Sequence, residues 1–126
     1  MRLLLDSHVA LWWLDDHASL GPRARDAIAA ADDVAVSVVT PWELGIKRAL
    51  GRINYPDGLA DELSGCGFRW LEIAVAHAVR APLLPPHHRD PFDRMLVAQA
   101  QLEALTLVTA DRSLDPYDIG RLDAGS

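Results

Sequence analysis

The chain has 126 residues, half of them apolar, with a net charge of −6 and a single cysteine. That is enough chain for one domain with a real core and too little for two, so residues 1–126 are expected to form a single domain. The acidic balance excludes a generally basic nucleic-acid clamp, though not a local groove, and one cysteine excludes a disulfide scaffold.

In chain order, Leu3-Leu4-Leu5 is a short apolar run ending at Asp6, followed by a helical pattern through Val9, Leu11, Trp12, Trp13 and Leu14. This reads as a buried strand and then a helix capped by Ser7, with Asp6 at the carboxyl end of the strand, where ligand sites of open α/β sheets gather. The apolar run is far short of a secretory or membrane-spanning segment, so a cytoplasmic protein with no membrane partner is expected. A second, Ala-rich helix opens at Pro22. Val34 to Val39 is β-branched without helical period and reads as a second buried strand.

Thr40-Pro41-Trp42-Glu43 then reads as a cap, a Pro at the first helical position, an aromatic and an acid, opening a helix that runs to Leu50 and stops at Gly51. Lys47 shares a helix face with Glu43, as an ion pair or as a phosphate contact. Residues 58–67 predict a short helix with Leu59 and Leu63 inward, and Cys66 reads as a small core residue. Phe68 to Ile73 predicts a third strand, and Ala74 to Ala81 a helix closed by Pro82, with His77 on its surface or in the core.

The stiff segment Leu83 to Arg89 leads into Asp90-Pro91-Phe92-Asp93. Asp90 suits an N-cap, Pro91 the first helical position and Asp93 the third, with the helix continuing to about Glu103. His87 and His88 lack any partner at structural zinc spacing. Leu105 to Thr109 predicts a fourth strand, ending at Ala110-Asp111. One short strand near Arg121-Leu122 follows, and then a fraying tail.

Strand and helix in alternation predict an α/β fold with three layers, α/β/α, around a central, mostly parallel sheet of four to five strands. Asp6, Glu43, Asp93 and Asp111 then all lie at strand carboxyl ends or helix starts, along one crevice. Four converging carboxylates repel unless a cation neutralises them. An all-oxygen set suits Mg²⁺ or Mn²⁺, ions that support hydrolysis of phosphodiesters.

These motifs resemble the PIN-domain ribonucleases, and within them the VapC-type toxins of bacterial toxin–antitoxin pairs. The resemblance rests on Leu3 to His8, Ser37 to Glu43, His88 to Ala100 and Leu107 to Asp111, four motifs in the family's order. It implies a Mg²⁺-dependent endoribonuclease acting on RNA, held in check by a small antitoxin protein and commonly a homodimer. It places the catalytic and metal-binding acids at Asp6, Glu43, Asp93 and Asp111, treats Asp90 as a cap that also touches the metal site, and gives Thr109 a supporting hydroxyl. Arg94, Lys47 and Arg112 are the basic residues nearest the motifs and the candidate RNA-phosphate contacts. Trp12, Trp13 and Trp42 are core residues by default and otherwise partner surface. Three readings stand beside this one. A receiver-like Mg²⁺-binding module needs an acidic neighbour that Asp6 lacks, and a phosphatase with Asp6 as nucleophile meets His8 where a second Asp is usual. The third is a catalytically silent PIN fold that only binds a partner.

Overall fold

A computed structural model describes residues 1–126. The elements run β1 (Arg2–Leu5), α1 (Ser7–Asp15), α2 (Pro22–Ala30), β2 (Asp33–Ser37), α3 (Val39–Ala49), α4 (Leu59–Gly65), β3 (Arg69–Leu71), α5 (Val75–Leu83), α6 (Pro91–Glu103), β4 (Thr106–Thr109), a 3₁₀ turn (Arg112–Leu114) and β5 (Arg121–Asp123). The five strands form one sheet in the order β3-β2-β1-β4-β5, and every pairing is parallel.

Burial of both sheet faces explains why β1, β2 and β4 are continuous apolar runs instead of alternating ones. Successive residues of β1 point to opposite faces. Leu3 and Leu5 enter a core with Val9, Ala24, Ile28 and Leu63 from α1, α2 and α4. Leu4 enters another with Ala81, Leu96, Val97 and Ala100 from α5 and α6. The helix α3 gives Leu44 to the first core and Val39 to the second. None of these helices is long and apolar enough to cross a membrane.

The order of strands fixes where a site forms. From β1 the chain moves outward to β2 and β3, then returns across the sheet to β4 beside β1. The carboxyl ends of β1 and β4 therefore flank the switch point at which open parallel sheets hold ligands.

Several local expectations are corrected. Asp6, not Ser7, caps α1, accepting from the His8 N–H at 2.9 Å. Thr40 does not cap α3, which begins at Val39, two residues before the expected Pro41, with Ser37 Oγ accepting the Val39 N–H. The reason is shared: both hydroxyls are buried, Ser7 Oγ giving its hydrogen to Glu43 and accepting that of Thr40 Oγ1 at 3.0 Å. The helix α5 runs to Leu83, past Pro82. Cys66 is exposed, because Leu59 and Leu63 take the inward positions of α4. The tail is docked, not frayed: the Gly21 N–H reaches Ala124 O at 2.8 Å, and Ser126 O accepts from Arg23 N and Ala24 N. Those contacts satisfy otherwise orphaned donors at the start of α2, which has no side-chain cap.

Candidate metal centre

At the switch point Asp6, Glu43, Asp93 and Asp111 line one cleft of about 370 Å³ together with His8, Val9, Trp12, Lys47 and Ala110. All four predicted acids are thus brought together. Each arrives by a different local device.

Asp6 follows β1 directly, is 8 % exposed, and is held by two donors, His8 N at Oδ1 and the Thr109 hydroxyl at Oδ2, 2.6 Å away. Burial, above all, raises its pKa, and the charge of Glu43 adds to the rise; the two hydrogen bonds and His8 oppose it without cancelling it. Thr109 also accepts the Asp111 N–H at 3.1 Å, so one hydroxyl ties β1 to the loop after β4. That is the supporting place expected for it.

Glu43 is 2 % exposed. Ser7 Oγ donates to its Oε1 at 2.8 Å and Lys47 Nζ to its Oε2 at 2.6 Å. Lys47 thus forms the ion pair with Glu43, one helical turn away. Burial opposes the Lys47 charge, but the Glu43 hydrogen bond and the charges of Glu43, Asp90 and Asp93 outweigh it and raise the pKa.

Asp93 sits in the first turn of α6 and is the least compensated acid of the group. Burial is the first cause of its elevation and the charges of Asp6, Asp90, Glu43 and Asp111 add to it, so that it ionises only at about 8. Asp111 caps the 3₁₀ turn, with both Ser113 N and Ser113 Oγ donating to its Oδ1. Partial burial pushes its pKa upward, yet the Ser113 bonds and His88 together outweigh that and leave the carboxyl below the usual range.

Three predicted residues fall elsewhere. Asp90 caps α6, taking the Phe92 N–H at 2.8 Å, and does not line the cleft. Arg94 turns away from the acids, and neither guanidinium contact nor ion pair joins it to Asp90. It donates to the carbonyls of Ala81, Pro82, Leu84, Pro85 and His88, because the Pro-broken segment before α6 leaves those acceptors without helical partners. Arg112 is exposed at the start of the 3₁₀ turn and does not line the cleft.

His88 was the functional candidate that sequence reasoning missed. Its Nε2 lies 3.2 Å from Asp111 Oδ2 and 3.3 Å from Asp93 Oδ2. The signal was its place in the motif, two residues before the Asp90 cap; looking only for zinc spacings hid it. Among the tryptophans, Trp42 is not core: it is 59 % exposed and meets Phe92 edge-on at 5.0 Å. Trp12 and Trp13 are partly buried against the first core.

A PIN-domain model matches residues 3–120. The chain belongs to the PIN-domain family. It is 34 % identical over 119 residues to "Ribonuclease VapC22" of Mycobacterium tuberculosis, a match covering 89 % of this chain and 88 % of that one. Its fold resembles that of a toxin–antitoxin complex from Klebsiella pneumoniae, with a TM-score of 0.69 at 20 % identity, covering 98 % of both chains. It also resembles VapBC2 from Rickettsia felis, solved bound to a DNA fragment from its promoter: TM-score 0.68, 14 % identity, 97 % of this chain and 98 % of that one. Membership of the PIN family removes the receiver and phosphatase readings.

Proposed function

We propose that this PIN-domain chain is a divalent-cation-dependent endoribonuclease, the toxin of a toxin–antitoxin pair, and that Asp6, Glu43 and Asp93 hold its Mg²⁺ or Mn²⁺. The observation that carries the reading is the convergence of four carboxylates in one cleft where Asp93 ionises only at about 8. Lys47 is one cation against four acids, and it is already paired with Glu43. Such a donor set, hard oxygens in excess of local positive charge, fits a small divalent cation. When bound, the ion supplies charge neutralisation at a phosphoryl oxygen and activation of water for in-line attack.

The chain's own residues do the rest. Ser7 and Thr109 fix the carboxylates of Glu43 and Asp6, so the negative centre is held in place before any ligand arrives. His8, which lines the cleft with a part-exposed side chain, and exposed Arg112, next in sequence to Asp111, are the candidates for contacts to a phosphate backbone. Arg94, engaged with carbonyls, is no longer a candidate for that task, and Asp90 acts as a cap.

An RNA substrate is supported by the ribonuclease name of the relative at 34 % identity. A small antitoxin partner is supported by the toxin–antitoxin complexes among the structural neighbours. A homodimer, a cytoplasmic location and a one-domain chain belong to the same proposal.

The test is incubation of a mixed RNA pool with purified protein in Mg²⁺, in EDTA, and with Asp93→Asn protein in parallel. Fragments that need both the metal and Asp93 are expected. Equal cleavage in EDTA, or none by folded protein free of co-purified antitoxin, would overturn the reading.

A further inference from the structure

His88, Asp93 and Asp111 offer one ligand atom each, all within 4.8 Å of one another, which has the outline of a three-residue metal site. The hydrogen bonding of the imidazole argues for a different role. The Asp90 backbone N–H donates to His88 Nδ1 at 3.1 Å. A backbone amide is only ever a donor, so Nδ1 presents its lone pair there, and the proton of the neutral ring is on Nε2. A metal ligand at Nε2 needs its lone pair on that same atom. Here Nε2 carries a hydrogen that bonds Asp111 Oδ2 at 3.2 Å, with Asp93 Oδ2 alongside at 3.3 Å.

The ring is also held from behind. Its backbone N–H donates to Tyr117 Oη at 3.0 Å, and its carbonyl accepts from Arg94 at 3.1 Å. These contacts make Arg94 and Tyr117 a scaffold for the segment that aims the imidazole. On the far side, Asp111 Oδ1 takes both Ser113 donors, which leaves Oδ2 toward His88. Asp93, by contrast, accepts no hydrogen bond at its carboxylate, whose Oδ2 stands 3.3 Å from His88 Nε2.

We propose that His88 is a positioning residue, anchored to Asp111 through its Nε2–H so that the ring sets the place of the adjoining Asp93 carboxylate, and that Asp111 acts on the acidic cluster through His88 and not as an independent metal ligand. The role rests on the divalent-cation reading above. Carboxylates that orient a histidine, and histidines that orient ligating carboxylates, commonly change metal affinity about 10–100-fold when removed.

The experiment has two arms on the full chain. In the first, histidine ring-nitrogen NMR of wild-type protein is recorded without and with saturating Mg²⁺. Nε2 is expected to be protonated and Nδ1 bare in both states; a switch to the Nδ1–H tautomer on adding Mg²⁺ would mean direct ligation and overturn the role. In the second, Mn²⁺ affinity is measured by calorimetry for wild type, His88→Ala, His88→Gln, Asp111→Ala and the His88→Ala/Asp111→Ala pair. The Ala variant is expected to bind about 10-fold more weakly. Gln, which keeps an N–H at similar reach, should recover most of that loss, and the double variant should be no weaker than His88→Ala alone. Wild-type affinity in His88→Ala, no recovery by Gln, or additive losses would each overturn the proposal. Wild-type protein that bound no Mn²⁺ would overturn the cation reading and the positioning role with it, whereas a bound ion with a bare Nε2 would overturn the positioning role alone.

Discussion

Replacing Asp93 with Asn should stabilise the metal-free protein at pH 8 and leave it unchanged near pH 4. Asp93 ionises at about 8 in the fold against 3.8 for the free group, with burial and then neighbouring acids as the causes. A proton bound more tightly by the folded state contributes stability that is fully present below the unfolded pKa. That stability is lost as pH rises between the two values and is gone above the folded one. At about 1.4 kcal/mol per pKa unit, the ceiling is ~6 kcal/mol. The carboxylate is 17 % exposed and part of the rise comes from the charge of Asp6, itself pushed toward the neutral form, so a working figure is about 3 kcal/mol. The assay is urea unfolding in EDTA at pH 4.5, 6.5 and 8, values chosen as roughly spanning the interval. Wild-type stability should fall across the series, and Asp93→Asn should fall less, ending about 3 kcal/mol above wild type at pH 8. Parallel pH curves for the two proteins would refute the argument, because they would mean that Asp93 carries no strained charge.

Three other substitutions probe the supports of the cleft. Arg94→Lys keeps the charge but not the fork that reaches five carbonyls, so it should cost roughly 2–4 kcal/mol in urea unfolding; a loss under ~0.5 kcal/mol would show that the clamp is dispensable. Thr109→Val removes the 2.6 Å hydrogen bond to buried Asp6 and the acceptor for Asp111 N, and should cost about 1–3 kcal/mol above pH 7, with a smaller loss in acid where Asp6 is protonated. Gly21→Ala would drive a Cβ into the Ser126 carbonyl, so amide exchange at Arg23 and Ala24, which Ser126 caps, should quicken while the sheet stays protected. Unchanged exchange at those two amides would mean that the tail holds nothing in place.

Much of this architecture is legible in the chain. Leu3 to Leu5, Val34 to Val36 and Leu107-Val108 are apolar on both faces because their strands are covered on both sides, and that pattern marks a parallel sheet without any contact information. Once the sheet is parallel, an acid just past an apolar strand lands on the ligand edge, which is why Asp6 and Asp111 could be placed. Asp93 followed from a Pro-started helix, and Glu43 from an expected Pro41 start that lies inside the first turn of α3.

What stayed hidden depends on partners distant in sequence. Arg94 looked like a phosphate contact because backbone carbonyls, its actual acceptors, leave no trace in residue identity. The capping of α1 was misassigned between Asp6 and Ser7 because either residue type can cap, and only the position of Glu43, 36 residues on, commits Ser7 to another bond. His88 needed both Asp111, 23 residues away, and the Asp90 N–H to acquire a defined tautomer.

The central claim is that the acids at this strand edge form a cation site, and anomalous diffraction from crystals soaked in Mn²⁺ tests it most directly. A peak in contact with the carboxylates of Asp6, Glu43 and Asp93, absent in Asp6→Asn crystals, is the predicted result. A cleft without a peak at saturating Mn²⁺, or an ion that persists when Asp6 is replaced, would contradict it.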